Sequence, residues 1–154
     1  MDIAEASESD LGELFSLQRA AFVDEAVLYG TPHVPALDES FTEFQARHEA
    51  SKTLVARDGA RITGAVSVRR YENLPDIERL MTVPDRRGEG VATALMAGAE
   101  ELAASQGHLG IQLIVGELAS DNQRLYERLG YRITSRWEST EFAGLILLRM
   151  TKHF

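Results

Sequence analysis

Between Arg86 and Gly90 the chain reads RRGEG, two arginines and two glycines in five residues, and a helix-forming run follows at once. The first amides of a helix lack intrahelical acceptors, and the helix dipole adds about half a positive charge at that end. Gly88 and Gly90 allow a ligand to approach the backbone closely, and Arg87 adds a full charge. Together these residues can hold an anion, and phosphate fits best. The bland alternative is a tight strand-to-helix turn. Two nucleotide-binding patterns fail on spacing. A P-loop needs G-x-x-x-x-G-K-[ST], and a dinucleotide fingerprint needs G-x-G-x-x-G. Here Gly88-x-Gly90 runs on to Thr93, after a fourth strand rather than a first.

The elements that position this loop follow from periodicity. Asp2–Ala6 alternates like a short strand. A helix opens near Asp10, where Asp10 and Glu13 have capping-box spacing, and Leu11, Leu14, Phe15 and Phe22 form its apolar face. The proline-containing stretch TPHVPALDES predicts a connection, and Ser40 with Glu43 opens a second helix to about His48. Thr53–Arg57 and Ile62–Tyr71 form a hairpin around DGA. PDIERLMTV supplies the strand that enters the loop. Simple alternation places Glu78 and Leu80 on one face of it, and Arg79 and Met81 on the other. Beyond the loop, Ala92, Leu95, Met96, Ala99, Leu102 and Ala103 have helical spacing, and Gly107 stops the helix. GIQLIVGE reads as a strand buried on both faces. Ser120 and Gln123, again spaced as a capping box, open a short helix that ends at Gly130, and two more strands follow. With no linker or repeat, residues 1–154 form a single domain of the α/β class.

Composition excludes several functions. Sixteen basic against twenty-four acidic residues argue against gripping nucleic acid. The absence of cysteine removes disulfides, thiolate metal ligands and a cysteine nucleophile. His33, His48, His108 and His153 make no metal-binding pattern, so no metal is expected. The acidic start has no basic-then-apolar leader, and no apolar run reaches the roughly 20 residues that span a bilayer. A cytoplasmic protein with no membrane partner is the expectation.

RGEGVA (Arg87–Ala92) resembles the Q/R-x-x-G-x-G/A signature of the GCN5-related N-acetyltransferases, the GNAT family. NQRLYERLGY (Asn122–Tyr131) is similar to the family's later Asn…Tyr-Glu-Lys/Arg-Leu-Gly block, one helix and one strand downstream. The resemblance implies a mixed, mostly antiparallel sheet with helices on both faces and a splayed central strand pair. It implies acetyl-CoA as co-substrate, its pyrophosphate held by Arg87, Gly88, Glu89, Gly90, Val91, Ala92 and Thr93. The pantetheine arm would lie along the preceding strand, with backbone contacts at Met81 and Val83 and an oxyanion-stabilising amide near Met81.

By the same resemblance Tyr126 is the general acid for the departing thiolate, and Asn122, four residues earlier on the same helix face, contacts the coenzyme. The family's asparagine often lies seven residues before the tyrosine, where this chain has Ala119. Glu78 is the candidate base, although an exposed strand carboxylate or a partner for Arg79 would look the same. Tyr29 and His33 lie where the family lines its acceptor site. The expected activity is acetyl transfer to an amine of a small molecule or protein, by direct attack in a ternary complex. A non-catalytic acyl-CoA-binding or sensing domain is the alternative. The late strands could also pair across a homodimer.

Overall fold

Seven strands form one sheet, in the order β1-β2-β3-β4-β5-β7-β6, in the computed structural model, which describes residues 1–154. The strands are β1 (Asp2–Glu5), β2 (Ser51–Asp58), β3 (Arg61–Arg69), β4 (Asp76–Thr82), β5 (Gly110–Gly116), β6 (Arg132–Glu138) and β7 (Ile146–His153). The helices are α1 (Leu11–Ala21), α2 (Val23–Tyr29), α3 (Pro35–Asp38), α4 (Phe41–Glu49), α5 (Val91–Ser105) and α6 (Ser120–Arg128). All neighbouring strands are antiparallel except β4 and β5. This is the mixed α/β sheet that the family resemblance implied.

Two apolar clusters cover the two faces. The larger one packs Leu95, Met96 and Ala99 of α5 and Tyr126 of α6 against Val66, Ile77, Ile111 and Leu113. The smaller one packs Leu11, Leu14 and Leu17 of α1 and Phe44 of α4 against Val55, Ala65 and Met81. The helical spacing read at α5 is therefore a true core stripe.

Local signals failed where tertiary partners took over. The Ser40–Glu43 capping box forms, at 3.1 and 2.9 Å. The Asp10–Glu13 box does not. Asp10 accepts from Arg57 at 2.6 Å and from the Ser7 amide at 2.9 Å, while Glu13 accepts from the Ile62 amide. The Ser120–Gln123 box is also absent. Ala119 is the N-cap, and Gln123 donates to the Gly116 and Glu117 carbonyls. The first helix breaks at Phe22, where α2 begins, and α3 occupies part of the expected connection.

The strand β4 departs from simple alternation. Met81 pairs with Ala65 and Glu78 with Ser67, so Arg79 and Leu80 together oppose Val66. This is a β-bulge, and Arg79 takes φ 52°, a left-handed value rare outside glycine. Alternation paired Glu78 with Leu80. The bulge instead sends Leu80 to the α5 side with Ile77, and Met81 to the α1 side.

Leu95 is fully buried in the larger cluster. Leu95→Ala should lower unfolding stability by about 2–5 kcal/mol, read from urea denaturation midpoints.

Candidate functional site

β4 and β5 share only two residue pairs, Asp76 with Gln112 and Ile77 with Leu113, and then part. The gap opens into a cleft of about 1030 Å³, with α1 to α4 on one side and the α5 loop and α6 on the other. Ile114, expected inside a strand buried on both faces, is 43% exposed and lines this gap.

At one end stands the glycine loop. Gly88 and Gly90 have φ 78° and 82°, and an added Cβ at either would meet no atom within 4 Å. The glycines are thus required for backbone conformation and leave open space in front of them. No protein acceptor takes the amides of residues 88–93, and the N-terminus of α5 carries no side-chain cap. Six consecutive free N–H groups with two left-handed glycines form an anion nest.

Arg87 donates to Asp24 of α2 and, at 3.0 Å, to the Ala21 carbonyl. Both members of the Arg87–Asp24 pair are largely exposed, at 41% and 71%. Such pairs contribute about 0–1 kcal/mol, so a diphosphate can displace Asp24 readily. Gly88, Gly90, Val91, Ala92 and Thr93 line the cleft with Arg87, whereas the Glu89 side chain turns to Arg86 at 3.9 Å.

The strand contacts need correction. Val83 is 8% exposed in the α1-side core, its amide donates to Thr63 at 2.9 Å, and its carbonyl accepts from Arg86. Antiparallel ladders alternate, so Met81, two residues back, also turns its backbone groups to β3. A Cβ on Gly64 would lie 2.7 Å from the Met81 oxygen, which fits that direction. Thr82 then faces the gap, and Leu80 in the bulge has no ladder partner. The backbone available to a ligand is at Leu80 and Thr82, not at Met81 and Val83, and an oxyanion donor near Met81 moves with it.

The helix α6 brings Asn122 and Tyr126 to the cleft together. Tyr126 is 7% exposed and packs edge-on against Tyr131, with ring centroids 6.0 Å apart. Its hydroxyl has no protein partner. Burial first, and then the charge of Glu25, push this phenol far above its ordinary pKa, so it stays protonated.

Glu78 lines the cleft, with Oε1 accepting from the Tyr71 hydroxyl at 3.3 Å and Oε2 buried with no partner. Glu25 of α2 also lines it, and no motif marked it in the sequence. Burial raises its carboxyl pKa, partly offset by Arg79. Tyr29 does not line the cleft. It closes the far wall by accepting from the Leu118 amide at 3.2 Å, over Gly116, where any Cβ would strike its hydroxyl. His33 lies outside, 75% exposed beside Asp38.

Residues 19–154 match a family model described as an acetyltransferase (GNAT) domain. No curated protein matches the chain by sequence. Among solved structures, the fold is similar to the ribosomal-protein-S18-alanine N-acetyltransferase of Escherichia coli. That match has a TM-score of 0.80 and 15% identity over 99% of this chain and 92% of that one. It is also similar to the PaiA N-acetyltransferase of Thermoplasma acidophilum in complex with coenzyme A, at TM-score 0.79 and 17% identity over 99% and 98%. A third is YncA of Salmonella typhimurium with acetyl-CoA, at TM-score 0.77 and 17% identity over 99% and 92%.

The raised pKa of Glu25 yields a sign-specific prediction. The folded state penalises the charged carboxyl. That penalty is absent below the unfolded value of about 4.3 and grows as pH rises through the folded one. Glu25→Gln should therefore raise the melting temperature at pH 8 and leave it unchanged near pH 4.

Proposed function

The chain belongs to the GNAT acetyltransferase family, and on that premise we propose that residues 1–154 work as one domain moving an acetyl group from acetyl-CoA to an amine. The observation that carries this reading is the run of free amides at residues 88–93, which opens into the gap between β4 and β5. An anion nest leading into a strand-lined slot suits a diphosphate followed by an amide-bearing arm. A metal is not needed for this chemistry.

Bound acetyl-CoA supplies the acyl group as an activated thioester. Arg87 and the amides of Gly88 to Thr93 hold the pyrophosphate end. Leu80 and Thr82 offer backbone hydrogen bonds to the pantetheine amides and to the developing oxyanion. Asn122, exposed at the start of α6, adds an amide that both donates and accepts. Ile114 gives the arm an apolar wall.

The amine must lose a proton before or during attack. Glu78 can accept it from the α1 side, where its Oε2 is buried without a hydrogen-bond partner. Glu25, whose carboxyl is made harder to ionise by burial, is a second carboxylate on that side that can accept the proton. Tyr126 donates to the leaving sulfur. An ordinary thiol titrates near 8.5, well below this phenol, so the hydroxyl stabilises the thiolate by hydrogen bonding as it departs. Holding both reactants in one cleft supplies proximity without a covalent enzyme intermediate.

Thiol release measured across amines, amino acids, aminoglycosides and peptides tests the activity. Acceptor-dependent release with an N-acetylated product of the right mass is expected. Tight coenzyme A binding without such release would instead indicate a sensing domain. Tyr126→Phe should lower kcat by about 10²–10⁴-fold with little change in donor KM. Unchanged turnover across pH would remove Tyr126 from the chemistry.

A further inference from the structure

The acceptor side of the cleft contains a guanidinium whose hydrogen-bond donors the protein does not satisfy. Arg79 lines the cleft from the β4 bulge, with a side chain 22% exposed. No protein atom accepts a hydrogen bond from its guanidinium, and its Nε is fully buried without a partner. The nearest carboxylate oxygen, Glu39 Oε2, lies 3.6 Å away, beyond hydrogen-bond distance.

Glu39 is already engaged. It accepts from Arg47 Nε at 3.0 Å, from a second Arg47 nitrogen at 3.3 Å and from Gln18 Nε2 at 3.0 Å. Arg47 also lines the cleft, and its Nη1 is buried with no partner. Two guanidinium groups thus share one carboxylate, and each keeps unmet N–H groups. Burying such donors unpaired is costly, and left-handed backbone at a non-glycine residue adds about 1–3 kcal/mol of strain. Strain and unmet N–H donors at one residue point to a ligand group that accepts in the plane of the guanidinium, as a carboxylate does.

The bulge also fixes what lies beside that group. Glu78 and Arg79 are consecutive, yet Arg79 reaches Glu39 and Arg47 on the α4 side, and Glu78 shares the Ser67 row that faces α1 and α4. Regular alternation would have parted them. Carboxylates for an amine, Glu78 and Glu25, therefore stand next to a guanidinium for an anion.

We infer that the acceptor is a small molecule of the amino-acid class, whose amine points to the acyl group while its neighbouring carboxylate is gripped by Arg79, with Arg47 behind it. This rests on the acetyltransferase reading and narrows it. A polypeptide N-terminus carries no such carboxylate and would leave Arg79 unmet.

The test compares binding of N-acetylated amino acids with that of their decarboxylated N-acetyl amines, which are product analogues and need no turnover. Titrations are run on protein loaded with coenzyme A and followed by fluorescence of Trp137, the single tryptophan, which lines the cleft. At least one carboxylated member should bind about 10- to 100-fold more tightly than its decarboxylated counterpart. Arg79→Gln should bring that ratio close to one, and Arg79→Lys should restore part of it. No pair with a preference, or a preference that survives Arg79→Gln, would overturn the inference. Thiol-release assays separate the two readings. Turnover that is best with decarboxylated amines or peptide N-termini removes the carboxylate subsite and keeps the acetyltransferase. Carboxylate-dependent binding without turnover of any amine does the reverse.

Discussion

Two parallel strands that cannot close on each other govern the rest of this structure. β4 is held on its outer side by β3, and every residue of β5 from Gly110 to Gly116 is paired with β7. Each strand is therefore anchored away from the gap, and the bulge at Arg79 and Leu80 turns β4 further from β5. Backbone groups facing the gap remain without a strand partner. Buried peptide groups need hydrogen bonds, so the opening favours a guest that carries amides at strand-like spacing. The cleft is a missing stretch of sheet rather than a hollow between side chains.

The two faces of the sheet divide the labour. On the α5 side, the helix start offers backbone amides, two glycines and the helix dipole, with Arg87 beside them. On the α1 side, the cleft is lined by charged side chains from α2, α4 and β4. The helices α1 and α2 also span the mouth: Arg87 joins α2 to the loop, and Tyr29 joins α2 to the end of β5. The wall of the acceptor side is thus tied to the donor loop through α2.

Most of the fold was legible because each strand and helix has its own period, and the loop and α6 block are contiguous stretches whose chemistry is local. Ser40 and Glu43 could be read as a cap because nothing else competes for them. Asp10 and Gln123 could not, since Arg57 is distant in sequence and the Gly116 and Glu117 carbonyls lie at the end of β5 and just beyond it. The family resemblance implied a splayed strand, often splayed at a bulge, but the place of the bulge was invisible for a related reason. No residue in DIERLMT announces it, and it exists only in the register against β3. The resemblance put the backbone contacts at Met81 and Val83, whereas the groups that β3 leaves free are at Leu80 and Thr82. Glu25 escaped because it lies on a seven-residue helix with no motif, and only the packing of α2 over the cleft gives it meaning.

The extra residue in β4 also has a meaning for inheritance. A strand keeps two faces by parity, and the bulge switches that parity once, between Glu78 and Met81. Point substitutions at Arg79 leave the switch in place, because the backbone count is unchanged. Loss of a single codon here leaves one residue opposite Val66 and a regular ladder, so Glu78, Leu80 and Met81 keep their faces while the bulge and the left-handed position of Arg79 disappear. This segment can therefore diversify by replacing letters while keeping its length fixed, a constraint stricter on insertions and deletions than on residue identity.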